Sequence, residues 1–253
     1  MSGRTLSSVR NAARALKEFS SERPELGVSE LSRCLDLGKS TVHRLLTTLT
    51  EEHLLVKNPD TGRYRLGLAM YDLGNTAVTG LNLHAALTPP MNWLQDVTGG
   101  TVHAGVLDLR EVIYIERLDS PHMLRLFIKV GRRQPAHSTS TGKCLLAHLD
   151  STTLHRILDG WKMEPKTVHT ITDPAVLRKQ LVDIQRLGYS CNLEESELGV
   201  ISVSAAIRDR SRTVVAAVSV AGPKSRFGSK LLGLSQSVRE AAAVASHQLG
   251  YKR

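Results

Sequence analysis

Residues 35–46 read LDLGKSTVHRLL, and the Gly-Lys-Ser-Thr inside them has two physical readings. One is the end of a loop that cradles phosphates; the other is the turn and opening of a helix that sits on DNA. A phosphate loop needs a glycine five residues before the Gly-Lys pair, because the chain must curl and aim backbone N–H groups at the phosphate oxygens. Arg33 stands there, followed by Cys34, Leu35, Asp36 and Leu37. The other Gly-Lys pair, Gly142-Lys143, has His137 at the glycine position and Cys144 where a Ser or Thr should hold magnesium. Both nucleotide readings fail on geometry.

The flanking sequence favours the helix. Leu6, Val9, Ala13, Leu16 and Phe19 recur at spacings of three and four, the stripe of an amphipathic helix, which Pro24 and Gly27 end. Ser29 is placed to cap a second short helix with apolar positions Leu31, Cys34 and Leu35. Asp36-Leu37-Gly38 reads as a tight turn with glycine supplying a left-handed backbone. A third helix then opens at Lys39 or Ser40, with Val42, Leu45, Leu46 and Leu49 inward. Helix, glycine turn, helix is the helix-turn-helix pattern.

Leu54-Leu55-Val56, the turn NPDTG (58–62) and RYRLG (63–67) add a basic hairpin, so the expectation is a winged helix over residues 1–67. Lys39, Ser40, Thr41, His43 and Arg44 are the residues of the third helix expected to reach base edges and phosphates. Lys57, Arg63 and Arg65 on the wing are expected to meet backbone phosphates. The competing reading is a plain three-helix bundle with a solvated outer face; the wing in correct order weighs against it.

The 253 residues suffice for two modest domains, and 41% hydrophobic with 23% charged residues is ordinary for a protein with a packed core. The net charge of +9 fits a polyanionic partner without locating it. Residues 1–75 hold 11 Lys and Arg against 9 Asp and Glu, and the remainder holds 22 against 15. No apolar run is long enough to span a bilayer, and the start lacks the apolar core of a secretory signal. Cys34, Cys144 and Cys191 are odd in number and unpaired by spacing, as reduced thiols in a cytoplasmic protein would be.

Beyond the wing, residues 68–83 have helical spacing through Leu68, Tyr71 or Leu73, Ala77 and Leu81, and read as a linker helix. A further helix within 84–99 is expected to begin near Pro89-Pro90. Strands follow at 101–108, 111–119 and 124–131, then a polar loop running into a helix at 137–149. Residues 173–188 carry Asp173 as cap, Pro174 at the first helical position and Gly188 as stop. Strands near 199–208 and 213–221 and a long helix over 229–248 complete an α+β domain spanning 84–253.

In the first of those strands Val200, Ser202, Ser204 and Ala206 share one face; in the second Val215, Ala217, Ser219 and Ala221 do. The opposite faces are aliphatic. Small, hydroxyl-bearing faces suit a cavity for a compact polar ligand. The rival reading makes Ser202 and Ser219 small residues under a close-packed helix.

The chain resembles the IclR family of bacterial transcriptional regulators over essentially its whole length. The resemblance is carried by LSRCLDLGKSTVHRLLTTLTEEHLLVKNPDTGRYRLG (31–67), HSTSTGKCLLAHL (137–149), TITDPAVLRKQLVDIQRLGYSCNLEESELGVISVSAAIRD (170–209) and VVAAVSVAGPKSRF (214–227). It implies a winged helix on operator DNA, a GAF-like carboxy-terminal domain binding a small metabolite such as an organic acid, and a homodimer or dimer of dimers. On the matching positions the implied effector pocket is Ser140, Thr141, Asn192, Val200, Ser202, Ser219 and Ala221. The sequence departs from the family pattern at Asn192, usually Asp or Ser, and at Arg208, usually aromatic or His.

Enzyme readings find little to stand on. No HExxH occurs, the ten histidines are scattered, and GLSQS (233–237) fails the GxSxG elbow at its last residue inside a helical stretch. Glu194, Glu195 and Glu197 read as loop carboxylates that partner Lys or Arg, or that close the pocket. The expectation is a metabolite-responsive regulator, with repression the favoured sense and no cofactor, metal site or catalytic residue. The alternative is a small-acid enzyme with a structural winged-helix domain.

Overall fold

The computed structural model describes residues 6–20, 22–79, 83–120 and 130–252, with the side chains of 75 and 77–79 left aside. The chain divides into two compact units, Met1–Gly80 and Leu81–Arg253.

The first unit contains α1 (Ser7–Lys17), β1 (Glu25–Leu26), α2 (Val28–Leu35), α3 (Lys39–Glu51), β2 (Leu55–Lys57), β3 (Tyr64–Leu66) and α4 (Leu68–Thr79). The strands form an antiparallel sheet in the order β1-β3-β2, so the wing has a short third strand that the sequence pattern does not announce. Ala15, Phe19, Leu26, Leu31, Leu35, Val42, Leu46, Leu49, Leu55 and Tyr64 make one core. Only part of the expected stripe of α1 joins it. Leu6, Val9 and Ala13 face solvent, and the packed residues are Ala12, Ala15, Leu16 and Phe19.

Two capping expectations are corrected. Ser29 does not cap α2; Gly27 is its N-cap, and the Gly27 N–H donates to Glu30 Oε2 at 2.7 Å, which satisfies an otherwise orphaned donor. The left-handed residue of the following turn is Asp36, at φ 55°, while Gly38 is extended at φ −60° as the N-cap of α3. Aspartate tolerates this region because its short polar side chain can bond locally. At the wing tip Gly62 has φ +67°, a left-handed backbone that glycine adopts without steric cost, and its N–H donates to the Asn58 carbonyl at 2.9 Å. Ala77 and Leu81 of the linker stripe lie outside the described side chains, and Leu68, Tyr71 and Leu73 are exposed.

The second unit begins with α5 (Leu83–Thr98), β4 (Thr101–Asp108), β5 (Glu111–Leu118) and β6 (Arg133–Pro135). It continues with α6 (Ser140–Ala147), α7 (Ser151–Leu158), α8 (Pro174–Leu187), β7 (Ser190–Leu193), β8 (Val200–Arg208), β9 (Val214–Pro223), α9 (Lys224–Phe227) and α10 (Leu231–Gln248). The helix α5 starts at Leu83, well before Pro89-Pro90, which lie inside it; the prolines did not mark its start because packing of Leu83, Ala86 and Leu87 holds the earlier turns. The strand expected at 124–131 falls almost wholly outside the described residues. The sheet is antiparallel in the order β6-β5-β4-β9-β8-β7, which makes the fold α+β. Helices α5 and α10 pack together and on one face of this sheet, and α6, backed by α8, covers the other.

The start of α6 is fixed by close approach. A Cβ on Gly142 would lie 2.3 Å from the Cα and carbonyl oxygen of Ala136, so only glycine lets the helix turn this tightly against the preceding loop. Thr139 Oγ1 accepts the Gly142 N–H at 3.0 Å and caps the helix.

Candidate DNA interface and effector site

The first site is the outer face of α3. Its inward residues Val42, Leu46 and Leu49 are buried and Leu45 is half-buried. The helical period therefore turns Lys39, Ser40, Thr41, His43 and Arg44 outward, and all five are exposed. Among the described residues none of their side chains makes a hydrogen bond or ion pair inside the protein. The N-cap Gly38 supplies no side-chain acceptor, so the first backbone N–H groups of α3 also face outward, a favourable arrangement for a phosphate. A groove of about 470 Å³ runs between α1 and α3, with Thr41 and Arg44 on its rim and Val9, Ala12 and Leu45 in its wall.

On the wing, Lys57 and Arg65 are exposed, with the Lys57 ammonium 5.8 Å from the Tyr64 ring centroid. Arg63 is placed differently from its expected role. Its guanidinium bonds the Glu25 carbonyl at 3.0 Å and pairs with Glu30 at 2.8 Å, which braces the hairpin against the start of α2. The Gly27 N–H and Arg63 together hold the Glu30 carboxyl below its ordinary pKa.

The second site lies where α6 meets β8 and β9. Antiparallel register sets Ser204 opposite Ser219 and Ser202 opposite Ala221, so these residues share the sheet face under α6. Ser140 and Ser202 hydroxyl oxygens are 2.7 Å apart, and Thr141 Oγ1 donates to Ser219 Oγ at 3.0 Å. Four of the expected pocket residues thus meet in one buried hydroxyl cluster, with Ala221 beside it and half-buried Val200 at the end of β8. Asn192 is engaged elsewhere: Nδ2 donates to Ser196 Oγ at 2.6 Å and Oδ1 accepts the Glu195 N–H at 2.7 Å, so its amide closes the β7–β8 loop.

Several neighbours escaped the sequence reading. Tyr114 on β5 is buried and hydrogen-bonded to Thr141 and Thr139; burial pushes its phenol pKa up, and those two bonds oppose the shift. Lys143, one turn into α6, is fully buried and bonds both Glu195 oxygens at 2.5 and 2.7 Å. Desolvation lowers the Lys143 pKa against the pull of the Glu195 charge. The sequence offers the Lys of GKC only as a nucleotide ligand, and nothing in a one-dimensional pattern pairs it with a glutamate 52 residues away. Of the acidic trio, Glu194 pairs with Lys224 and Glu195 with Lys143.

Burial pushes the Cys144 thiol up to about 12 and the Cys191 thiol up to about 11, so neither is poised as a nucleophile. Among the described residues no group of three or more His, Cys, Asp or Glu could hold a metal ion, and no helix is long and apolar enough to cross a membrane.

A winged helix whose third helix displays unengaged basic and hydroxyl side chains, joined in one chain to a separate α+β unit, has the arrangement of a DNA-binding regulator. The sequence profile described as IclR helix-turn-helix domain matches residues 8–59, and that described as bacterial transcriptional regulator IclR C-terminal matches residues 75–247. The chain belongs to the IclR family of bacterial transcriptional regulators.

It is 31% identical to the HTH-type transcriptional regulator XynR of Escherichia coli, over 97% of this chain and 98% of that one. It is 33% identical to the E. coli regulator KdgR, over 98% and 94%. Among solved structures it resembles an IclR homologue from Microbacterium hydrocarbonoxydans complexed with 4-hydroxybenzoate (27% identity, TM-score 0.86, 96% of this chain and 99% of that one). It also resembles the IclR of Thermotoga maritima (27% identity, TM-score 0.75, 98% and 100%). Family membership makes the protein a transcriptional regulator that binds DNA through its helix-turn-helix and an effector through its carboxy-terminal domain, and sets the enzyme reading aside.

Proposed function

We propose that the protein is a cytoplasmic repressor that acts as a homodimer or dimer of dimers and releases its operator when a small organic acid binds the second unit. The observation that carries this reading is the outer face of α3. Lys39, Ser40, Thr41, His43 and Arg44 are exposed and unengaged among the described residues, as groups reserved for another molecule would be. In the proposed mode these five enter the major groove while Lys57 and Arg65 touch flanking phosphates. Arg63 braces the wing through Glu30 rather than serving as a principal phosphate contact.

The effector site proposed is the Ser140, Thr141, Ser202 and Ser219 cluster, walled by Val200 and Ala221, with Asn192 setting the neighbouring loop. A carboxylate would exchange hydroxyl–hydroxyl bonds for charge-assisted ones, which are stronger. The 4-hydroxybenzoate complex of the M. hydrocarbonoxydans homologue, an aromatic carboxylate, supports a small organic acid as the ligand class. Binding would then shift the dimer between arrangements whose two reading helices do and do not match operator half-sites.

Fluorescence anisotropy with the intergenic DNA upstream of the protein's own gene tests the reading. Binding well above that to random DNA, weakened by a small carboxylate, is expected. Equal affinity for both DNAs would overturn it.

A further inference from the structure

Among the described residues, the buried polar atoms without a hydrogen-bond partner on the face beneath α6 include Ser190 Oγ, opposite Ser204 on β8, and an imidazole nitrogen on β4. His103, in the middle of β4, is 2% exposed, and its Nε2 is buried without a hydrogen-bond partner among the described residues. A buried polar atom without a hydrogen-bond partner keeps its full desolvation cost. Position shows what it faces. The registers set His103 opposite Ser219 on β9 and opposite Arg117 on β5, and directly opposed residues of antiparallel strands point to the same side. Ser219 already carries the Thr141 bond, and the His103 ring centroid lies 5.0 Å from that of Tyr114, the phenol bonded to Thr141 and Thr139. Imidazole, phenol and hydroxyls therefore form one continuous patch. Arg117 borders the patch with a side chain only 10% exposed, paired with Asp119.

Resting on the effector-site reading above, we infer that His103 is an effector-contacting residue whose Nε2–H donates to a carboxylate oxygen of the small acid, beside the Arg117 guanidinium. Burial first, and the Arg117 charge second, push the imidazole pKa down to about 3, so the ring is neutral at working pH and offers one N–H donor and one acceptor. A neutral donor beside a fixed cation suits an anion without burying a second positive charge. The hydroxyls of Ser140, Thr141, Ser202 and Ser219 are then left for the acid's remaining oxygens. A ligand without an oxygen acceptor at this position would leave Nε2 unpaired, and the adjoining Arg117 charge favours a carboxylate over a neutral carbonyl.

The test uses the full chain and four probes: acetate, glycolate, benzoate and 4-hydroxybenzoate. Calorimetry on the wild type selects the tightest binder. His103→Phe, which keeps a ring and deletes the donor, is expected to weaken that probe by roughly tenfold to a hundredfold. Ser202→Leu, the site control, is expected to abolish binding. Undiminished affinity in His103→Phe with loss in Ser202→Leu overturns the role of His103 and leaves the site. Undiminished affinity in both variants, or binding of no probe to the wild type, overturns the carboxylate site and this inference with it. Should His103→Phe not fold, nitrogen NMR of imidazole-labelled wild type decides. A probe-dependent shift of the His103 Nε2 resonance is expected, and an unmoved resonance refutes the contact.

Discussion

Truncating Lys143 separates a structural pair from a decorative one. Its ammonium has no exposed surface, and both Glu195 oxygens lie within 2.7 Å of it. Lys143→Met leaves a carboxylate buried at 5% exposure with only a long 3.4 Å bond from the Leu193 N–H. Removing one partner of a buried pair costs about 3–5 kcal/mol, because the remaining charge keeps its desolvation penalty and loses its compensation. Glu195→Leu strands the ammonium in the same way, although the Glu195 N–H to Asn192 bond is backbone and survives. The double variant strands nothing. It is expected within about 1 kcal/mol of wild type, giving a coupling of several kcal/mol between the two sites. Urea unfolding reads this cleanly, since both tryptophans, Trp93 and Trp161, lie in the second unit and report its unfolding alone. Single-variant losses below about 1 kcal/mol that simply add in the double variant would refute the pairing argument.

Further outcomes follow from other contacts. A histidine held at a pKa of about 3 when folded, against 6.5 unfolded, favours the native state fully above pH 6.5 and loses that advantage as pH falls toward 3. At pH 5 the loss from His103 is about 2 kcal/mol, so His103→Phe should flatten the wild-type decline between pH 7 and 5 by that amount; equal slopes would contradict it. Gly142→Ala drives a methyl onto the Ala136 backbone, and a loss of roughly 3 kcal/mol in the same urea assay is expected. Arg44→Ala should lower operator affinity by about 1–3 kcal/mol and relax sequence preference, whereas Arg65→Ala should weaken all DNAs alike and reduce the salt slope by about 1. Arg63→Ala should instead lower the stability of the first unit, because Glu30 and the Glu25 carbonyl lose their partner; an unchanged melting temperature would return Arg63 to the list of simple phosphate contacts.

Local signals carried most of the architecture. The period of Val42, Leu45, Leu46 and Leu49 fixed which side of α3 faces out, because helical geometry leaves no freedom once the apolar set is buried. Asp173, Pro174 and Gly188 bounded α8 for the same reason: each meets a backbone requirement that arises within a few residues. Alternation in β8 and β9 separated the hydroxyl face from the aliphatic one before any strand partner was known. Tertiary structure decided whatever depended on distant segments meeting. The Lys143–Glu195 pair, the diversion of Arg63 to Glu30, the closure of Asn192 onto Ser196 and the placing of His103 opposite Ser219 each join residues through register or helix packing. A sequence encodes which side of its own element a residue takes. Which element will lie across from it is set by the fold as a whole, where burial of many apolar groups at once outweighs any single polar preference.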